Sequence, residues 1–437
     1  MPKLNTRTLL FGGIGLFALI IILVVARVIP GLKKSDTPPL SGTVVIWTVG
    51  EGDKDEKAAW EDILRDFKGT YPDVKVTRRD FDSPESYESS LLEGLATGEG
   101  PDVFMVLNHA APRYANKISP APEMLYPLSR LRSDFPKVVE QDFAPQGKIY
   151  GVPLSVDTLS LIYNRSALDQ AAVSVPQSWE DFSSALQALT KSDASGISYS
   201  GAALGTAGNV PYAADTLSLL MLQSGTKMTN AEFTDATFDS KEGAGALEFY
   251  TQFADAGSTA YTWNNSLPSA LDSFSQEKVA MLLGYAETAR LLREKSPFLD
   301  IGVAEAPQSA EQIARGKKVS YPRYYGFAVS RQSKSPDVAW QFLISSVASQ
   351  ESAGKYLITT KKPPALRALL VLNKDDAQIG AFARQALIAV SWPQVDNALV
   401  VRLFSTAITD VNEGRETPVA ALKKAADEIS RAMQKKF

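Results

Sequence analysis

The chain has 437 residues, 45% of them apolar and 22% charged, with 45 Lys and Arg against 49 Asp and Glu and a formal net charge of −4. That length exceeds one ordinary core and suits two lobes of roughly 100 to 200 residues each, while the even charge balance excludes the basic footprint of a nucleic-acid binder. With no cysteine and one histidine, His109, the chain lacks disulfides, thiolate metal sites, a cysteine nucleophile, a lipidated N-terminal cysteine and a histidine metal cluster; no metal, cofactor or catalytic set is expected.

Thr8 to Ala26 is uncharged over about the length a helix needs to span a bilayer. Lys3 and Arg7 precede it and Arg27, Lys33 and Lys34 follow, so flanking charge does not set its orientation. It reads as a retained transmembrane anchor over 8–29, with a cleaved signal peptide ending after Ala26 as the rival. An exported region without a lipidated cysteine needs some other membrane tether if it is to stay at the membrane. Residues 30–41, with Lys33, Lys34, Pro38 and Pro39, form a polar linker.

Thr43 to Val49 is a β-branched run of the kind found in buried parallel strands. Glu51 follows in a loop at its carboxyl end, where ligands bind in open α/β sheets. Trp60, Ile63, Leu64 and Phe67 give the next helix one apolar stripe, which makes Trp60 a core residue. Val74 to Arg78 is a second strand, Ser83-Pro84-Glu85 starts a second helix, and Pro101 to Val106 opens a third strand. Strand and helix alternate in the pattern of a right-handed βαβ lobe.

The stretch Gly147 to Leu168 organises the rest. Val152-Pro153-Leu154 reads as an extended crossing segment, because proline holds its neighbour out of the α region and offers no N–H to a central ladder. Leu159 to Tyr163 is an apolar strand, and between them Asp157 falls where two lobes would meet, a common place for small-molecule sites. A solvated turn aspartate is the plainer alternative.

This crossing closely resembles that of the extracellular solute-binding proteins of family 1, the maltose-binding-like receptors of ABC importers. Thr97-Gly98-Glu99-Gly100-Pro101-Asp102-Val103 resembles a second family signature, and Val175 to Phe182 a third, in which Ser178 would cap a helix and Trp179 would face inward. Further matches occur at Phe274 to Arg293, Ile301 to Pro307, Tyr324 to Ser330 and Asn412 to Pro418, so the resemblance covers nearly everything after residue 41. Thr190 to Pro211, rich in Gly, Ser and Ala, reads as loop. Ser335-Pro336 reads as a helix cap, and Lys361 to Pro364 as a break near a third crossing.

The resemblance implies a two-lobed periplasmic-binding-protein-like α/β fold of type II with several hinge crossings, lobe 1 spanning 42–152 plus 321–370 and lobe 2 spanning 157–304 plus 376–437. It also implies a non-enzymatic, membrane-tethered subunit, its receptor region outside the cytoplasm, that binds a small solute, most naturally a carbohydrate, and delivers it to permease subunits. Sugars need fixed polar groups on a flat, mostly apolar wall. By position the polar candidates are Glu51, Asn108, His109 and Asp157, and the aromatic ones are Trp263, Tyr285, Tyr324, Tyr325 and Trp392, each of which could instead be packing. Where the family's maltose receptor has a tryptophan, an aspartate and a lysine, this chain has Val106, His109 and Gly52, which argues against a maltodextrin site. Two other classes stay open: a surface glycan-binding or sensor protein of the same fold, and a glycosidase using Glu51 and Asp157.

Overall fold

The computed structural model describes residues 40–50, 53–194 and 196–436. The anchor read at 8–29, all but the last two residues of the linker, and Glu51 lie outside them. Among the described residues, no helix is long and apolar enough to cross a membrane. Residues 42–437 group as one compact unit, built on two separate sheets.

The first sheet runs β2-β1-β3-β13-β4. Strands β1 (Gly42–Val49), β2 (Val74–Phe81) and β3 (Val103–Leu107) are mutually parallel. The later strand β13 (Tyr325–Ser330) enters antiparallel between β3 and β4 (Ile118–Ser119). Its residues Gly326 and Phe327 also pair with β5 (Val152–Pro153), a two-residue strand off the main path where proline's missing donor is tolerated. Helix α1 (Lys54–Thr70) buries Ala59, Trp60, Ile63 and Phe67 against this sheet's layer, and the Asp53 carboxylate caps it by accepting from the Asp55 and Glu56 N–H groups. Helix α2 (Pro84–Thr97) has its Ser83 cap and first-turn proline. Trp60 stands edge-on to Phe327, ring centroids 5.3 Å apart, so sequence-distant strands and helices share one core.

The second sheet runs β11-β7-β10-β9-β8. Strand β7 (Ser160–Asn164) lies antiparallel between β10 (Val279–Gly284) and β11 (Ile301–Ala304), and β9 (Gly196–Ala202) adds parallel to β10. The stretch after Thr190 is therefore not plain loop, since β8 (Lys191–Asp193) and β9 form a hairpin within it. Its Gly and Ser content hides a strand that long-range partners hold: the Thr262 hydroxyl accepts from Ala202 N–H and lies 3.1 Å from the Ser200 hydroxyl. Tertiary pairing overrides weak β propensity. Helix α3 (Trp179–Leu189) begins with a reciprocal capping box between Ser178 and Asp181 and buries Trp179, Phe182, Leu186 and Leu189. It shares a core with α4 (Ala213–Gln223) and the long C-terminal helices. Ser335 does stand at the start of its helix, but its hydroxyl makes no capping bond.

Between the sheets, β6 (Asp157–Thr158) pairs antiparallel with β12 (Pro322–Arg323), a two-stranded ribbon in which Asp157 opposes Arg323. Ser155 bridges Pro364 beside it. The chain thus passes between the two lobes through several adjacent segments.

Candidate functional site

A cavity of about 640 Å³ lies where the carboxyl ends of β1 and β3 face the ribbon and helix α5 (Ala286–Lys295). Its floor takes Val49, Gly50 and Met105 from the first sheet, its hinge wall Leu154, Ser155, Asp157, Arg323, Tyr324 and Tyr325, and its far wall Glu287, Arg290, Leu291 and Glu294. Open α/β sheets leave such crevices at strand carboxyl ends because loops there diverge. The volume falls within the roughly 300–1,000 Å³ usual for small-molecule sites.

Asp157 is held from both sides. Its Oδ1 accepts from Thr158 N–H at 2.8 Å and its Oδ2 from Ala286 N–H, the first residue of α5, at 2.9 Å. Burial pushes its carboxyl up to about 7, against the pull of those two backbone donors and of Lys362. A carboxylate has about four acceptor sites, so two remain for a ligand. Arg323 keeps its guanidinium 3.7 Å from the Asp215 carboxylate and 5.9 Å from the Tyr212 ring centroid.

The remaining charge is arranged in matched sets. Glu56, 5% exposed, accepts from Lys362 Nζ at 2.6 Å and from the Tyr356 hydroxyl at 2.8 Å. Arg290 bonds Glu287 and Glu294 on its own helix, each at 2.5 Å, and reaches Asp53 of the other lobe at 3.6 Å. Tyr325, Phe327 and Tyr356 supply ring surface to the same cavity.

Of the residues singled out by sequence, the cavity brings together Asp157, Tyr324 and Tyr325. The other described candidates do not line it. Asn108 is spent in buried hydrogen bonds: its amide donates to Asp142 and Ser391 while its carbonyl accepts from Tyr324 N–H. His109 is fully buried and stacked on Tyr321, and burial pulls its imidazole down to about 3, so it stays neutral. Trp263 is 1% exposed and packs with Ala270 and Phe274, its indole N–H donating to Asn209 at 3.0 Å. Tyr285 donates its hydroxyl to buried Asp215. Trp392 packs between Phe238 and Phe404. Even Tyr324 spends its hydroxyl on Asp142, at 2.7 Å.

Sequence reasoning missed Glu56, Glu287, Arg290, Arg323, Tyr356 and Lys362. Arg323 adjoins two aromatic candidates, and Lys362 sits in the chain break already noted, so proximity to the crossings was an available signal. The opposition of Arg323 to Asp157 depends on strand register, which no local pattern displays.

A family described as bacterial extracellular solute-binding protein matches residues 62–378. The chain belongs to that family. It is accordingly a solute-binding protein and not an enzyme. The maltotriose-binding protein of Pyrococcus abyssi is 21% identical over 421 residues, which cover 90% of this chain and 83% of that one. Among solved structures, a cyclic alpha-maltosyl-1,6-maltose binding protein from Arthrobacter globiformis is 17% identical, with a TM-score of 0.75 over 91% of this chain and 100% of that one. A solute-binding protein of an ABC transporter from Thermotoga lettingae, bound with alpha-D-tagatose, is 21% identical, with a TM-score of 0.70 over 90% and 100%. At these identities the two structures share the fold with this solute-binding protein.

Proposed function

We propose that this chain is the membrane-tethered binding subunit of an ABC importer, taking a carbohydrate into the cleft beside Asp157 and presenting it to permease subunits. The single observation that carries the reading is the cavity between the lobes, lined by a fixed carboxylate at a chain crossing and by tyrosine and phenylalanine rings. In this reading lobe 1 comprises 42–152 plus 321–370, lobe 2 comprises 157–304 plus 376–437, and residues 8–29 are the anchor. The sugar's hydroxyls bond Asp157 and its neighbours, and its C–H face lies on Tyr325. Helix α5, tied to Asp157 through Ala286 N–H and to Asp53 through Arg290, is the element that moves when the lobes close. Closure follows only if the ligand favours the closed form over the open one.

The supporting parallels are the sugars named for the Pyrococcus, Arthrobacter and Thermotoga proteins. The test is a thermal-shift screen of the full chain in detergent against sugars, amino acids, peptides and polyamines, since a native-state binder raises apparent stability by mass action. A carbohydrate hit abolished by Asp157→Ala supports the reading; hits confined to another solute class refute it. Copurification with permease subunits separates an importer from a free-standing surface receptor.

A further inference from the structure

The charges in the cleft are unequally matched. Three lining cations already face an acid: Lys362 bonds Glu56, Arg290 contacts Asp53, Glu287 and Glu294, and Arg323 lies against Asp215. Asp157 is different, because among the described residues no cationic side chain comes within ion-pairing distance of it and its fixed partners are two backbone N–H groups. The carboxylate nevertheless lines the cavity and is half-buried there. The lining carries acids at 53, 55, 56, 157, 287 and 294 against bases at 54, 290, 323 and 362, so a neutral ligand would leave an acid excess enclosed with it.

We infer that the cleft selects a sugar bearing a protonated amine, seated as an ion pair on Asp157, over the neutral sugar of the same shape. This rests on the carbohydrate reading above and narrows it to amino sugars. An ammonium group supplies three donors and a full opposite charge, and charge-assisted bonds are roughly twice as strong as neutral ones. A hydroxyl at the same place gives one neutral hydrogen bond and supplies no counter-charge, so it does not offset the cost of ionising a carboxyl in this setting. The two N–H groups, one from the ribbon and one from the start of α5, fix the carboxylate's orientation, so the ion pair forms at the crossing. Tyr325 and Tyr356 add aromatic surface, which attracts cations as well as sugar faces.

The test compares three disaccharides of one linkage, the β-1,4 glucosamine dimer, its N-acetylated form and cellobiose, by calorimetry on the full chain in detergent near pH 6.5. The expected result is that the amine form binds at least tenfold more tightly than cellobiose and than the acetylated form, which has lost the charge. Asp157→Asn should bring the amine form to within about threefold of cellobiose in the same variant, and a cooperative thermal unfolding transition shows that the variant is folded. Cellobiose binding as well as the amine form, or an amine preference that survives in the variant, overturns the amine assignment and leaves the carbohydrate reading standing. If none of the three binds and the wider screen finds only non-sugar solutes, both fall.

Discussion

Asp157→Asn isolates the electrostatic consequence of placing a carboxyl at the crossing. An ordinary aspartate titrates near 3.8, and burial pushes this one up to about 7, so the folded protein prefers the protonated form. The associated stability is fully present below about pH 4 and is lost as pH rises through 7, at about 1.4 kcal/mol per pH unit. The whole climb amounts to about 4 kcal/mol, and water reaching the partly exposed side chain brings it to about 2 kcal/mol. Two charges facing the group modify it in opposite senses, Lys362 drawing the carboxyl down and Glu287 pushing it up. Asparagine keeps the shape and cannot ionise, although turning an amide toward Thr158 or Ala286 N–H costs a constant amount at every pH. The assay is urea unfolding of full-length wild type and variant, without ligand, at pH 4.5 and 7.5. The variant should gain about 2 kcal/mol on wild type between the two pH values, a double difference in which other titrating groups such as Asp142, which burial raises to about 6, cancel. Stability differences that are equal at both pH values, within about 0.5 kcal/mol, would refute a strained carboxyl at this position.

Four further substitutions separate packing from binding. Trp392→Ala and Trp263→Ala should each cost about 3–5 kcal/mol of stability and leave the rank order of bound solutes unchanged, measured by thermal shift with and without ligand; an altered rank order would return those rings to the ligand site. Arg290→Gln removes the 3.6 Å contact with Asp53, a partly exposed pair worth about 0.2–1 kcal/mol, so ligand affinity should fall about two- to fivefold at low salt and the deficit should shrink in high salt as screening increases. Gly326→Val should destabilise by about 1–3 kcal/mol, because even a Cβ there would lie 2.4 Å from the Phe143 ring; a second change, Phe143→Leu, should recover part of that loss in the same unfolding assay.

What the chain's letters disclosed about the fold were features written locally. The strand at 43–49, the stripe on α1, the capping box at Ser178 and the proline-marked crossing each depend on residues within one turn or one strand of each other. The β8–β9 hairpin escaped because Gly196 to Ala202 has little strand character of its own and is held by Thr262, far along the chain. The same division explains the candidate site. Asp157, Tyr324 and Tyr325 stand on crossings legible in the sequence, whereas Trp263 looked free in its polar loop only because Asn209, Ala270 and Phe274 close over it from other segments.

Charge was harder to place than shape for a related reason. A charged residue on the N-terminal turn of a helix normally faces solvent and satisfies the helix dipole, so Glu56 and Glu287 looked ordinary. Their position changes when β1 and β10 point their carboxyl ends at one cavity, because the helices that follow those strands then begin at its rim. Glu56 is enclosed with Lys362 and Tyr356, Glu287 with Arg290, and each acid is neutralised by a residue distant in sequence or on the same helix face. Asp157 is the exception: its bonds are to the Thr158 and Ala286 N–H groups, and Arg323 on the facing strand directs its guanidinium to Asp215. The arrangement that makes it costly to keep charged also makes it responsive to what enters the cleft, since a ligand that supplies positive charge there lowers the energy of the ionised state.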